Sequence, residues 1–324
     1  MKHRKIHSSR SVFSLFGQFS VRNTNSGTDF ITYSVIICLL PESEGIDIMS
    51  KTVCVITGGG SGMGLEAAKC MPKDKIIVLA GRTVAKLENA VKQLTDLGFE
   101  AYAHAADTSN RQSVRELAEY AASLGEIKNV INCAGMSPAQ TNGEKLLRIN
   151  AIGTVYMNQE FSKLMKPGSV IVDISSNSAY SLPSFIIPKK AYPLAETDEE
   201  AFIAKILKRA NIAKTDYQKA GFAYAMSKNF VCWYAAKCAF EYGLKGIRVV
   251  SLSPGLIETD MGKAEKENGG YLIKYSAEER MGKPEELGFA IATLADERNG
   301  YLAGVDVLCD GGSTRGQKEF KKKR

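Results

Sequence analysis

From Lys51 onward, short apolar runs alternate with amphipathic stretches. The runs are Val53–Thr57, Ile76–Ala80, Val130–Asn132, Val170–Ile174, Val249–Leu252 and Val305–Cys309. Each is rich in Val, Ile and Leu without the strict alternation of a half-wetted strand, which is the pattern of a strand buried on both faces. Between them, Val84–Leu97, Ser113–Leu124, Glu144–Leu164 and Tyr224–Tyr242 carry apolar residues at helical spacing. Strands separated by helices predict an α/β fold, a doubly wound parallel sheet covered on both faces, as one domain over residues 51–313. No repeat of 20–50 residues is present.

Three segments depart from that rhythm. Residues 1–48 are rich in Ser, Arg, Asn and Thr and have no acidic residue before Asp29. They read as a disordered targeting leader, or as an extension upstream of a start at Met49; a secretory signal fits poorly because the apolar run comes late. Residues 177–221 form an insertion before the last long helix. Within it, Thr197 and Glu200 have capping-box spacing, and Asp198–Ala213 puts Phe202, Ile203, Ile206, Leu207 and Ala210 on one stripe. That helix either packs on its own domain or serves as a substrate lid or subunit contact. Residues 314–324 read as a basic disordered tail.

The 324-residue chain is 44% hydrophobic and 24% charged, which excludes a disordered or collagen-like protein. The longest early apolar run, Tyr33–Leu40, is far short of the ~20 residues a spanning helix needs. No membrane partner is expected. Net charge is +7, but residues 318–324 hold +4 of it and residues 1–48 a further +1. The nearly neutral body argues against a nucleic-acid partner. Seven Cys with no Cys-x-x-Cys pair suit a reducing, cytoplasmic setting. Only three His are present, two of them in the first seven residues, so no metal site is expected.

The first strand runs into Thr57-Gly58-Gly59-Gly60-Ser61-Gly62-Met63-Gly64 and then a helix. Gly58 suits a tight turn, Gly62 lets the backbone approach a pyrophosphate, and Gly64 lets helix and strand pack closely. The helix N-terminus offers unpaired N–H groups to phosphate. The second strand ends in Gly81-Arg82 with no acidic residue to accept from a ribose. A guanidinium there pairs with a 2′-phosphate, which favours NADP, with NAD as the alternative.

Tyr224 and Lys228 are four residues apart, so phenol and ammonium share a helix face. A positive charge beside the phenol favours phenolate and suits Tyr224 to proton transfer. Such a spacing arises about once by chance in a chain with 13 Tyr, so its company decides. Ser175 and Ser176 end a strand where open α/β sheets bind ligands. Asn132-Cys133-Ala134-Gly135 ends another, Asn150 follows, and Pro254-Gly255-Leu256-Ile257-Glu258-Thr259 offers backbone groups and a hydroxyl to a nicotinamide carboxamide.

Taken together, these motifs resemble the short-chain dehydrogenase/reductase family over essentially all of residues 51–313, in a Rossmann-like fold. The resemblance implies Tyr224 as general acid/base, Lys228 as the group that lowers its pKa and holds the nicotinamide ribose, Ser176 as the residue orienting the substrate oxygen, and Asn150 as support for a proton relay. It implies Asp107 against the adenine and Asn132, Ala134 or Gly135 along the ribose edge, beside Gly58, Ser61, Gly62, Met63 and Gly64. The long Ser176–Tyr224 interval is similar to the 3-alpha-hydroxysteroid dehydrogenase/carbonyl reductase branch. That implies a secondary alcohol or ketone on an apolar small molecule such as a hydroxysteroid or bile acid, with Tyr180, Leu182, Phe185, Ile186 and Ile187 as an apolar wall, and a homodimer or a monomer. The alternatives are a broad carbonyl or acyl-carrier ketone reductase, and a non-catalytic NADP sensor.

Overall fold

The computed structural model describes residues 51–320 and, before them, a short antiparallel ladder of Gln18–Phe19 with Tyr33–Ser34. The expected leader at 1–48 otherwise lies outside the described residues. The chain divides into two units, residues 1–49 and 50–324. In the second, seven parallel strands form one sheet: β1 Thr52–Thr57, β2 Ile76–Gly81, β3 Glu100–Ala105, β4 Glu126–Asn132, β5 Ser169–Ile174, β6 Ile247–Pro254 and β7 Asp306–Cys309. Their order is β3-β2-β1-β4-β5-β6-β7. The sequence steps outward from β1 in both directions, so the crossovers diverge between β1 and β4 and open a crevice at the carboxyl ends of the strands.

Strands β1, β2, β5 and β6 are almost wholly buried, as their apolar runs require. Strand β3 is the one the hydrophobic pattern missed. Its sequence, Glu-Ala-Tyr-Ala-His-Ala, is half-exposed because it forms the sheet edge and pairs only with β2. One face is covered by α3 Arg111–Leu124, α5 Gly153–Phe161 and α8 Asp216–Gly243, through Val114, Leu117, Val155, Met226 and Phe230. The other is covered by α1 Gly62–Cys70, α2 Val84–Asp96 and α10 Pro284–Ala295, through Leu65, Leu87, Leu94, Ile291 and Leu294.

The expected single helix over 144–164 is broken. Helix α4 Gly143–Leu147 passes into a π turn, Arg148–Ile152, before α5. A π turn inserts one residue per turn, which hydrophobic spacing does not register.

The insertion also differs from expectation. Helix α8 starts at Asp216, capped by a Thr215/Gln218 box, so it begins two turns before Tyr224. Helix α6 is Leu194–Thr197, and α7 is Glu199–Ala210. The cap of α7 is Asp198, whose carboxylate accepts from the Ala201 N–H at 2.9 Å, rather than a Thr197/Glu200 box. An anionic cap also meets the positive end of the helix dipole. Glu200 instead accepts from Arg148. The stripe Phe202, Ile203, Ile206 and Ala210 is buried, with Leu207 against the same core, so the insertion packs on its own domain. Tyr192 and Phe202 stack into Phe230 of α8 at ring separations of 5.2 and 5.0 Å.

The basic tail requires a correction. Residues Ser313–Glu319 form α11, because Asp310 accepts from Gly312 N, Ser313 Oγ and Thr314 N and so anchors its first turn. Lys318 Nζ donates to the Tyr180 carbonyl at 2.9 Å. Residues 321–324 lie outside the described residues. Among the described residues no helix is long and apolar enough to cross a membrane.

Candidate active site

The turn after β1 has the shape its glycines allow. Gly58 sits at φ +66°, and a Cβ on Gly64 would come within 2.6 Å of the Gly58 carbonyl. Only glycine permits both the left-handed turn and that close approach. Helix α1 thus starts directly above the turn with its N–H groups facing a cleft of about 550 Å³.

Of the residues expected to bind cofactor, Gly58, Ser61, Gly62, Met63, Gly64, Arg82, Asp107, Ala134, Gly135 and Thr259 line this cleft. Asp107 also accepts from Ser109 N and Oγ at 2.9 and 2.7 Å. Lys86, in the first turn of α2, reaches the same rim as Arg82 and was not foreseen, although its i,i+4 spacing from Arg82 was visible. The turn, the helix end, the depth of the cleft and two cations at its β2 end fit a dinucleotide carrying an extra phosphate.

Six expected binders do not line this cleft: Tyr224 and Lys228, beyond its Gly135 end, and Asn132, Pro254, Gly255 and Ile257. Asn132 is buried beneath the floor, where its Oδ1 accepts from Thr57 Oγ1 at 2.9 Å, because a strand residue pointing into the core needs a polar partner. Pro254 ends β6 and is buried in the sheet. Gly255 and Ile257 face a second cavity of about 260 Å³, lined also by Leu256, Leu272 and Met281. The main chain on either side of Ile257 is tied to the opposite segment, with Glu258 N donating to the Gly282 carbonyl and Gly282 N to that of Leu256, and the apolar Ile257 side chain is buried. Glu258 and Thr259, the latter the cap of α9 Asp260–Gly269, are the residues of that motif that reach the cleft.

The reactive groups meet beyond Gly135. A Cβ there would lie 3.2 Å from Asn150 Oδ1 and 3.5 Å from Lys228 Nζ. Asn150, in the π turn, clamps the Met136 peptide from both sides: Oδ1 accepts from Met136 N and Nδ2 donates to Met136 O, each at 2.9 Å. Its own carbonyl accepts from Thr154 Oγ1 at 2.8 Å. Lys228 Nζ donates to the Ile174 carbonyl at 2.9 Å and lies 5.9 Å from the Tyr224 ring centre.

The two serines separate cleanly. Ser175 Oγ donates to the Lys228 carbonyl at 2.8 Å and receives the Cys232 thiol, so it is a strut for α8. Ser176 Oγ donates to Asn177 Oδ1 at 3.5 Å and accepts from Ser178 N at 3.2 Å, and it is the side chain that favours the charged form of Tyr224. Burial raises the Tyr224 pKa, and Ser176 opposes it; the Glu265 carboxylate adds to the rise. Burial lowers Lys228 to about 8, offset in part by Cys232, Cys133 and Asp173. Desolvation is thus the largest influence on Tyr224 within the protein, and Ser176 opposes it; the lowering of Tyr224 by Lys228 belongs to the proposed mechanism.

Glu265 on α9 was also missed. It accepts from Ala139 N at 2.9 Å and from Tyr217 OH at 2.8 Å, and so ties α9 to the loop after β4 and to the start of α8. No sequence spacing links these three segments.

The sequence model of the short chain dehydrogenase family matches residues 52–187, and that of the enoyl-(acyl carrier protein) reductase group matches residues 180–314. A short-chain dehydrogenase/reductase of Alternaria brassicicola is 29% identical over 270 residues, covering 82% of this chain and 96% of that protein. A cyclohexanol dehydrogenase of an Acinetobacter strain is 25% identical, covering 82% and 96%. A Burkholderia cenocepacia short chain dehydrogenase, solved in complex with NADP, superposes with a TM-score of 0.64 at 21% identity, covering 81% of this chain and 97% of that one. The chain belongs to the short-chain dehydrogenase/reductase family. It is an oxidoreductase acting on CH–OH groups with NAD(P).

Proposed function

We propose that the chain interconverts a secondary alcohol and its ketone with NADP(H), on small neutral carbonyl compounds rather than on steroids alone. The observation that carries this reading is the Tyr224–Lys228 pair, with Lys228 Nζ 5.9 Å from the Tyr224 ring centre, at the Gly135 end of a cleft whose other end bears Arg82 and Lys86. Bound NADP(H) supplies or accepts the hydride. In reduction, the Tyr224 hydroxyl gives its proton to the carbonyl oxygen, Ser176 orients that oxygen, and the Lys228 charge stabilises the phenolate that Tyr224 becomes. Asn150 keeps the loop at Gly135–Met136 against the cleft.

The apolar wall expected for a steroid gives little support. Tyr180 donates to Asp306 at 2.5 Å, Ile187 is buried in the core, and Phe185 is 80% exposed. Similarity to a cyclohexanol dehydrogenase supports a smaller ring or chain. Within this reading the protein works as a homodimer in the cytoplasm, supported by exposed Phe240, Leu244 and Tyr301 and by free cysteines.

Steady-state rates on a panel of cyclic ketones, diketones and 3-ketosteroids, with NADPH and NADH, test it. NADPH-driven reduction of small ketones is expected. Turnover of steroids alone would restore the hydroxysteroid reading, and no turnover with NADPH would sink the proposal.

A further inference from the structure

A polar row crosses the apolar sheet. Thr57, Asn132, Asp173, Ser251 and Asp306 are register partners on β1, β4, β5, β6 and β7. Register partners on neighbouring parallel strands point to one face, here the face under α5 and α8. At its centre, Asp173 is a fully buried carboxylate to which the reaction above gives no task.

Its contacts form two directed chains. Asn132 Nδ2 donates to Asp173 Oδ1 at 3.5 Å and to Thr154 Oγ1 at 3.3 Å, while Asn158 Nδ2 donates to Asp173 Oδ2 at 2.8 Å. On its other side, Asn132 Oδ1 accepts from Thr57 Oγ1 at 2.9 Å, and that hydroxyl oxygen accepts from Ala134 N at 3.1 Å. Thr154 Oγ1 passes its own proton to the Asn150 carbonyl at 2.8 Å. A carboxylate only accepts. Asn132 must therefore turn its NH2 toward Asp173 and its oxygen toward Thr57. The Thr57 proton is then committed, and its lone pair is left for the Ala134 N–H. With the Asn132 amide reversed, oxygen would face carboxylate and Thr57 would face two donors.

We propose that Asp173 is a positioning residue whose carboxylate fixes the direction of both chains, one ending on the Ala134 amide beside the cofactor cleft and the other on the Asn150 carbonyl in the π turn. The cofactor part of this rests on the NADP(H) reading. The charge costs stability. Burial pushes Asp173 up to about 7, against the hydrogen bonds from Asn158 and Asn132 and the charge of Lys228. The titratable groups on its side are Lys228 and Cys238 of α8 and, one strand beyond Ser251, Asp306, whose Oδ1 accepts from Ser251 Oγ at 2.6 Å. The side chains that β1, β4 and α5 hydrogen-bond into this row are Thr57, Asn132, Thr154 and Asn158. A carboxyl whose folded pKa is raised stabilises in its neutral form. That contribution is complete at low pH and is lost as pH rises through about 7.

Asp173→Asn in the full chain tests this. The new amide can donate to Asn132, so the chain loses its direction while the buried charge disappears. Hydrogen exchange of the peptide spanning residues 133–137 is expected to speed up about tenfold, and the NADPH Kd from fluorescence to rise about tenfold. At pH 8 the variant should melt above the wild type, and the margin should shrink as pH falls from about 7 toward the ordinary carboxyl range. Unchanged exchange at 133–137, or a variant that melts lower at pH 8, overturns the proposal. If the wild type binds no NADPH, the cofactor reading fails while the exchange data still decide the role of Asp173. If the variant does not fold, Thr57→Val should free the same peptide and make its exchange protection indifferent to pH between 6 and 8, after correction for the intrinsic rate. Protection that keeps the wild-type pH dependence contradicts the proposal.

Discussion

Tyr224 and Lys228 are pushed toward neutrality by the same burial, the phenol upward and the ammonium down to about 8. In the proposed reduction a neutral Tyr224 is the proton donor and a charged Lys228 the group that stabilises its phenolate. We expect kcat/KM for ketone reduction to be level at neutral pH and to fall above about 8, as Lys228 loses its charge. Lys228→Arg, which cannot discharge, should remove that limb even where the rate itself drops; a pH–rate series on both proteins checks it. Ser176→Ala removes the side chain that favours phenolate at Tyr224 and should lower kcat about 100-fold with a smaller change in KM. The four candidate catalytic residues, Asn150, Ser176, Tyr224 and Lys228, were legible from the motifs in which they stand. Asn132, Pro254, Gly255 and Ile257 share such motifs, but spacing does not tell which way a strand-end residue points. Glu265 was hidden because its partners, Ala139 and Tyr217, are distant in sequence.

Elements were read well where burial and periodicity agree. Six strands announced themselves by apolar runs, whereas edge strand β3 did not, since water on one side lets Tyr102 and His104 replace Val and Ile. The start of α8 was misplaced because Asp216–Lys219 is polar on every side; the Thr215 cap, not hydrophobic spacing, begins the helix. Thr215→Ala should therefore cost about 1 kcal/mol of stability. The insertion behaves as core. Phe202 is fully buried between Tyr192 and Phe230, so Phe202→Ala should cost about 3–5 kcal/mol in urea unfolding. A loss below about 1 kcal/mol would mean that this helix is a loosely held cover.

At the scale of the molecule, the divergence of crossovers between β1 and β4 fixes where a dinucleotide can lie, and helices on both faces leave only the carboxyl edge open. Cofactor choice then depends on the β2 end. Arg82→Ala should raise the KM for NADPH about tenfold and leave that for NADH nearly unchanged; equal effects on both would mean that Arg82 reads no 2′-phosphate. The account as a whole stands on proton transfer at one oxygen. Its most direct test is NADPH-dependent reduction of a cyclic ketone by the wild type and by Tyr224→Phe, with NADPH affinity measured on the same samples. A rate loss of about 10²–10⁴ with affinity kept within a few-fold is expected. A phenylalanine variant that turns over like the wild type would contradict it.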